Sequence, residues 1–380
     1  MDGGWAAQDG SAHAVALEVL TAGPISRSAL ARRLGLSQSS LSRLTKPLLE
    51  SGLLVEADAG SDDEQGRRVG RPRQPLDVAA DTRRFIGVKV TADAAHGVCV
   101  DLRCAEVARH DVALASRGVG DVVAAVADVV ARLTRDRAAD GIGVSISGPV
   151  RGGRSVVGSP FLGWEGEIAL ADLVESATGI PTTLSNDLVA LTHAEQWFGA
   201  GRDAANVAVV TVGAGVGFGL IAGGRVVASD DDGVGHVGHI PLDPAGPLCF
   251  AGHRGCAAAL LTIDAICGQV SVGLGRTVDY DEVLTLARRA DGVARTAVEA
   301  AAVALGRLVA LASNFTFART IVISGEGDGV LDVARDAFEE AIAPLRDNRA
   351  DPLEIVVRPA DFVEWARGAA AMAIRAHVLR

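Results

Sequence analysis

Gln38, Ser39, Ser40, Ser42 and Arg43 lie within one short stretch of the chain. Serine and glutamine both donate and accept hydrogen bonds, and arginine pairs bidentately with a guanine edge. These residues therefore carry the chemistry for reading bases in a major groove. Lys46 lies one turn further on and suits a phosphate. From Pro24 to Lys46 the charged residues are Arg27, Arg32, Arg33, Arg43 and Lys46, with no acid among them. A second basic run, Arg67 to Arg73, holds four arginines and no acid. Within it Arg71-Pro72-Arg73 follows Gly70, an extended segment suited to a narrow minor groove, whose negative potential favours arginine.

Base-reading side chains need a helix to present them. Ala12 to Thr21 reads as a first helix, with Val15, Leu17, Val19 and Leu20 as core candidates and Gly23-Pro24 as its stop. Ser26 is placed to cap a second helix, Arg27 to Leu34, and Ser37 a third, with Gly35 supplying the turn between them. Leu30, Leu34, Leu36, Leu41, Leu44, Leu48 and Leu49 give both helices a common apolar face. Two short helices joined by a glycine turn make a helix-turn-helix. Pro47 removes a helical hydrogen bond, so a kink or early break is expected there. Gly52 to Glu56 reads as the first strand of a wing, Ala57 to Gly66 as its tip, and Arg67 to Val78 as the return. For the helices alone, a small bundle with solvated polar faces is the plainer reading, and for the arginine run alone, a basic linker. Together at wing distance they indicate a DNA-binding domain over residues 1–80.

A break near Ala79 to Arg83 separates this head from a body over residues 84–380. There strands at Phe85–Val90, Gly97–Leu102 and Glu106–Val112 precede a helix at Val119–Arg135 and a strand at Ile142–Ile146. The pattern returns at Val207–Val212, Gly217–Ala222 and Thr320–Ser324. Each half opens on a hairpin, which implies a two-lobed α/β body with a cleft. The whole chain of 380 residues is 49% hydrophobic and 22% charged, in the range of globular proteins. Its net charge of −11 would argue against DNA binding were the cations not gathered in the head. Five cysteines, an odd and sparse count, do not suggest a disulfide framework. Met1 to Gly10 has no signal pattern and no uninterrupted apolar run is long enough to span a membrane, so a cytoplasmic protein without membrane partners is expected.

The order of several motifs resembles the ROK family of repressors, open reading frames and sugar kinases. The carriers are Gly52-Leu53, Gly70-Arg71-Pro72, Ser147-Gly148-Pro149-Val150, Ser185-Asn186-Asp187, Gly213-Ala214-Gly215-Val216-Gly217, Gly238-His239, Cys249 and Gly255-Cys256. The resemblance implies a winged helix-turn-helix followed by a bilobal actin-like, ribonuclease-H-like sugar-kinase fold. It also implies that Gly148, Asn186, Asp187, His236 and His239 bind a sugar or sugar derivative, Asp187 standing where family kinases hold their general base. Asn186 also suits the cap of a helix beginning at Leu188.

The departures from the family pattern speak against catalysis. Lys89 stands where kinases carry the aspartate of the first phosphate turn, and Ala214 replaces the usual threonine of the second. No ATP is expected to bind, and the glycines of Gly213 to Gly219 read as a hairpin needing positive φ. Of the family's zinc motif, His239, Cys249 and Cys256 are present, while Ala251 replaces one cysteine. His253 is proposed as its substitute, giving a structural zinc set of His239, Cys249, His253 and Cys256. The alternative is a metal-free loop with buried thiols. Two family carboxylates on the sugar are also missing, at His236 and Ala258. The expectation is a non-enzymatic, sugar-responsive transcriptional regulator, a repressor, acting as a homodimer or homotetramer on double-stranded DNA. A constitutive DNA-binding dimer and an active sugar kinase are the alternatives.

Overall fold

The computed structural model describes residues 10–57, 74–202, 204–229, 236–359 and 361–378. Its head consists of α1 (Gly10–Ala22), α2 (Arg27–Arg33), α3 (Gln38–Glu50), β1 (Leu54–Glu56) and β2 (Leu76–Val78). The caps fall as expected. Ser26 Oγ accepts from Ala29 N, and Ser37 Oγ from Ser40 N. Gly35 takes the left-handed turn between the helices at φ +63°. Val15, Val19, Leu30, Leu41, Leu54 and Leu76 form the head's buried interior. The two wing strands pair antiparallel, Val55 opposite Asp77, and Ile25 bridges to Leu76 on the other side.

Of the kink or early break expected at Pro47, the break does not occur. α3 runs on to Glu50, and Ser51 N still bonds Pro47 O. The carbonyl that loses its partner belongs to Arg43, an exposed residue, where water can replace it.

The body continues in chain order with β3 (Phe85–Val90), β4 (Ala94–Val100), β5 (Glu106–Ala113), α4 (Val119–Leu133) and β6 (Gly141–Ile146). A small sheet follows, of β7 (Val150–Arg151), β8 (Ser155–Ser159) and β9 (Trp164–Ile168), then α5 (Leu170–Thr178), β10 (Thr182–Asn186) and α6 (Asp187–Phe198). Next come β11 (Val207–Val212), β12 (Val216–Ala222), β13 (Arg225–Val226), α7 (Ala257–Leu261), α8 (Ile263–Leu274), α9 (Tyr280–Arg288) and α10 (Gly292–Thr316). β14 (Thr320–Ser324), α11 (Val330–Ile342), β15 (Glu354–Val357) and α12 (Val363–His377) complete it.

Two five-stranded sheets share one topology, β10-β6-β3-β4-β5 and β13-β12-β11-β14-β15. In each, the first strand is central, flanked by an antiparallel hairpin on one side and a parallel strand on the other. This is the duplicated arrangement expected of an actin-like α/β body. The central strands β3 and β11 are buried at every position, which is why they read as nearly continuous apolar runs, interrupted only by Gly87 and Lys89 in β3 and by Thr211 in β11. The chain divides into two compact units, Met1–Ser145 with Ala169–Ser185 and Ala366–Arg380, and Ile146–Ile168 with Asn186–Trp365. The head thus groups with the first sheet.

In the first unit α12 packs directly on that sheet. Gly87 of β3 and Gly143 of β6 are register partners. A Cβ on either would collide with α12 backbone, at Ala366 O and Ala369 O respectively. The glycines form a slot in which helix and sheet backbones touch. In the second unit α10 is the centre of the core, with Ala301, Leu305, Leu308 and Val309 buried. Among the described residues it is the one helix long and apolar enough to cross a membrane, and it is mostly buried inside the unit.

Candidate functional site

On α3, Gln38, Ser39, Ser42, Arg43 and Lys46 are exposed and Ser40 half-buried. The helix start is drawn together by Ser37 Oγ, which lies 3.0 Å from Ser39 Oγ and 2.9 Å from Ser40 Oγ. Ser42 Oγ folds back to Gln38 O at 2.9 Å. Gln38, Arg43 and Lys46 are therefore the extended polar side chains this face presents. Arg27 has a role inside the head instead. Its guanidinium spans Thr45 Oγ1 of α3 (3.2 Å) and Glu56 Oε1 of the wing (2.7 Å), bracing α2 against both. Arg71 and Arg73 lie outside the described residues.

In the second unit a strained turn brings Gly148 to Asn186. Gly148 has φ +104°, and a Cβ there would strike Gly158 O. Ser147 and Ser159, both buried, share a 2.7 Å hydrogen bond beside it. Asn186, 4% exposed, uses both ends of its amide. Its Oδ1 accepts Leu188 N (3.0 Å) and Val189 N (3.3 Å), capping α6, and its Nδ2 donates to Gly148 O (3.1 Å). Asn186 thus ties the turn at Gly148 to the start of α6. Asp187 is half-buried in the first turn of α6, its Oδ1 accepting Leu188 N at 2.8 Å. The helix N-terminus favours its negative charge, and a carboxylate so held is an acceptor for polyol hydroxyls.

The glycine hairpin between β11 and β12 is tight, Gly213 N bonding Gly215 O at 3.0 Å. None of Gly213, Gly215, Gly217 and Gly219 adopts positive φ, so the expected reason for them is wrong. Gly217 and Gly219 are small because neighbours press on them. A Cβ on Gly217 would lie 2.5 Å from Thr211 Oγ1, and one on Gly219 would strike Thr192 Oγ1. On Gly213 the neighbour is the Glu326 carboxylate, whose Oε2 would lie 2.3 Å from a Cβ. Glu326 follows β14, which pairs in parallel with β11, and Gly327 N bonds Val212 O at 2.9 Å. A backbone that would receive phosphate oxygens is therefore faced by an anion. Sequence reasoning missed Glu326. Its signal was a lone carboxylate between Gly325 and Gly327, directly after a buried strand.

Lys89 is not in a turn. It lies within β3, 5% exposed, opposite His96 on β4 and Ser145 on β6. The turn is Thr91 to Ala94, closed by Thr91 Oγ1, which accepts Ala94 N at 3.1 Å. A threonine hydroxyl here does what glycines would otherwise do.

The expected ligand set His239, Cys249, His253 and Cys256 does converge. One donor atom from each lies within 4.8 Å of all the others. Cys249 Sγ is 3.8 Å from His239 Nδ1 and 3.7 Å from His253 Nδ1, and Cys256 Sγ is 3.9 Å from His239 Nδ1. A tetrahedral ion with ordinary zinc bond lengths separates such donors by about 3.5–3.8 Å, so the four residues could hold a metal. The loop is shaped by its backbone. Cys249 N bonds His253 O (2.9 Å), Gly255 N bonds Pro247 O (2.7 Å), and Gly255 sits at φ +55° against Asp243 O. Burial opposes ionisation of Cys249, yet backbone N–H groups of His253, Ala251 and Gly252 and the Cys256 thiol bring its pKa below the usual range. Burial pushes Cys256 up. Cys249 is thus the more readily ionised of the two thiols. His236 is exposed at the start of the single 3-10 turn that carries His239.

The sequence profile of the ROK family matches residues 85–376. The DNA-binding transcriptional dual regulator NagC of Escherichia coli (strain K12) is 28% identical over 339 residues, 84% of this chain and 81% of that protein. The glucokinase of Thermotoga maritima is 31% identical over 155 residues, 40% of this chain and 49% of that enzyme. In fold, the crystal structure of a ROK family transcriptional regulator, a homologue of the E. coli MLC protein, superposes with a TM-score of 0.76. It is 20% identical, and the match covers 97% of this chain and 98% of that one.

Proposed function

The chain belongs to the ROK family, and from that premise we propose that it is a DNA-binding transcriptional repressor whose hold on DNA responds to a sugar or sugar derivative. The observation that carries this reading is the exposed face of α3, with Gln38, Arg43 and Lys46 outermost and Glu50, 3.8 Å from Lys46 at the far end, its one acid, on a capped helix-turn-helix braced by a wing. The regulator NagC, similar over most of this chain, supports it. A homodimer in the cytoplasm fits, since two heads related by a two-fold axis match a palindromic operator.

In this reading Asp187, Asn186 and Gly148 contact ligand hydroxyls in the body. His239 turns Nδ1 towards the cysteine sulfurs and keeps Nε2 for the ligand. Zinc is the metal that best suits two imidazoles and two thiols. It would be held by His239, Cys249, His253 and Cys256, and would fix the loop between Pro241 and Cys256 without taking part in chemistry. Ligand binding changes DNA affinity to the extent that it favours one conformation of the protein over another.

The chain does not act as a sugar kinase in this reading. Glu326 faces the glycine hairpin with negative charge, Ala214 offers it no hydroxyl, and Lys89 occupies a strand position where an acidic turn is needed. The test is binding of the purified chain to genomic DNA fragments at several salt concentrations, followed by release with a panel of sugars and sugar phosphates. Salt-sensitive, sequence-selective capture that a sugar reverses supports the proposal. No capture at low salt, or ADP formation with any hexose, overturns it.

A further inference from the structure

The loop joining β4 to β5 reaches into the DNA-binding head. Asp101 Oδ1 shapes it by accepting Arg103 N (2.8 Å) and Ala105 N (2.9 Å), and Cys104 is held in the left-handed region at φ +55°. Arg103 then projects away from the sheet onto two separate parts of the head. Its Nη1 donates to Gly23 O, after α1, at 3.0 Å, and its Nη2 forms an ion pair with Asp77 of the wing strand β2. Beside it Leu102 N donates to Ala80 O at 3.2 Å.

The segment between head and sheet is gripped as well. Arg137 Nη1 donates to Asp81 O at 2.6 Å and Nη2 to Thr82 O, while Arg84 N and Asp140 N exchange bonds with Asp140 Oδ2 (2.9 Å) and Arg84 O (2.7 Å). From the opposite side Arg367 of α12 donates to Cys104 O at 3.0 Å, anchoring the loop that carries Arg103. A tether that merely joined two domains would leave these groups to water. Here charged donors take up the carbonyls on both sides of the joint, and such bonds are the stronger and more directional kind.

We propose that Arg103 is the clamp that makes the winged helix-turn-helix and the first sheet one mechanical body. A rearrangement of that sheet is then delivered to α3 instead of being absorbed between the domains. The consequence for DNA rests on the function proposed above, while the clamp does not.

The test is hydrogen–deuterium exchange on the full chain without DNA or sugar, comparing wild type, Arg103→Ala and Arg103→Lys. With Arg103→Ala, peptides covering α1 and β2 exchange about tenfold faster or more, while peptides of β3 and β6 are unchanged. Arg103→Lys keeps the charge opposite Asp77 but cannot fork to Gly23 O, so its head exchanges at an intermediate rate. Should the alanine variant not fold, the lysine variant alone decides. Head exchange equal to wild type, or equal loosening of head and sheet, overturns the clamp. Because no DNA or sugar enters, the clamp and the proposed function can fail separately.

Discussion

Arg358 holds Glu195 from two sides, Nε donating to Oε1 at 2.7 Å and Nη2 to Oε2 at 3.0 Å, and Glu195 is 1% exposed. Glu195 Oε2 also accepts Ala200 N at 2.8 Å, so the pair closes the end of α6 onto the strand that precedes Arg358. The bond to Glu195 raises the pKa of Arg358 still further. Removing the arginine leaves a buried carboxylate without a counter-charge, which costs about 3–5 kcal/mol. Arg358→Ala is expected to lose that much in urea unfolding. The double variant with Glu195→Ala should recover part of it, because the charge that needed a partner is gone.

The metal set makes a separable prediction. Purified protein is expected to retain about one zinc per chain, and His253→Ala to lose it on dialysis against a mild chelator while Ala251→Cys retains it. Elemental analysis of the dialysed proteins reads the result. Zinc retained in His253→Ala at the wild-type level would remove His253 from the set.

Glu326 predicts what the body refuses. Glu326→Gly takes one negative charge off the hairpin, and close-range charges of this kind are worth at least roughly tenfold in affinity. A fluorescent ATP analogue should therefore bind Glu326→Gly tenfold or more tightly than wild type. Equal binding by both chains would mean that the carboxylate is not what keeps nucleotide away.

The two basic residues of α3 should behave differently on DNA. Arg43→Ala is expected to cost about 1–3 kcal/mol and to relax preference at one base position. Lys46→Ala should weaken all sequences alike and reduce the slope of log affinity against log salt by about one. Fluorescence anisotropy over a salt series separates the two effects.

Much of this was legible in the sequence, where local rules decide the outcome. β3, β11 and β14 fall at their expected bounds because buried strands write themselves as apolar runs. Ser26, Ser37 and Asn186 cap helices because a short polar side chain before an apolar period has few better uses. The ligand set around His239 also assembles as the motif indicated. What stayed hidden depends on register between distant segments. Glu326 meets Gly213 only because β14 lies beside β11. Arg27 was counted among the cations of the head, and its bonds to Thr45 and Glu56 follow from the packing of α2 beside α3 and the wing. Gly217 and Gly219 of the hairpin were assigned to dihedral freedom when close neighbours require them.

The glycine slot of Gly87 and Gly143 has a bearing on synthesis. α12 follows every other described element in the chain, yet it fills the face of the first sheet, and its Arg367 steadies the loop beneath the head. During translation α3 and the strands of the first sheet emerge before α12, so the face that α12 covers stays bare until it arrives. Chains lacking α12 would thus carry the head on an uncovered sheet, with the loop of Arg103 deprived of its Arg367 anchor.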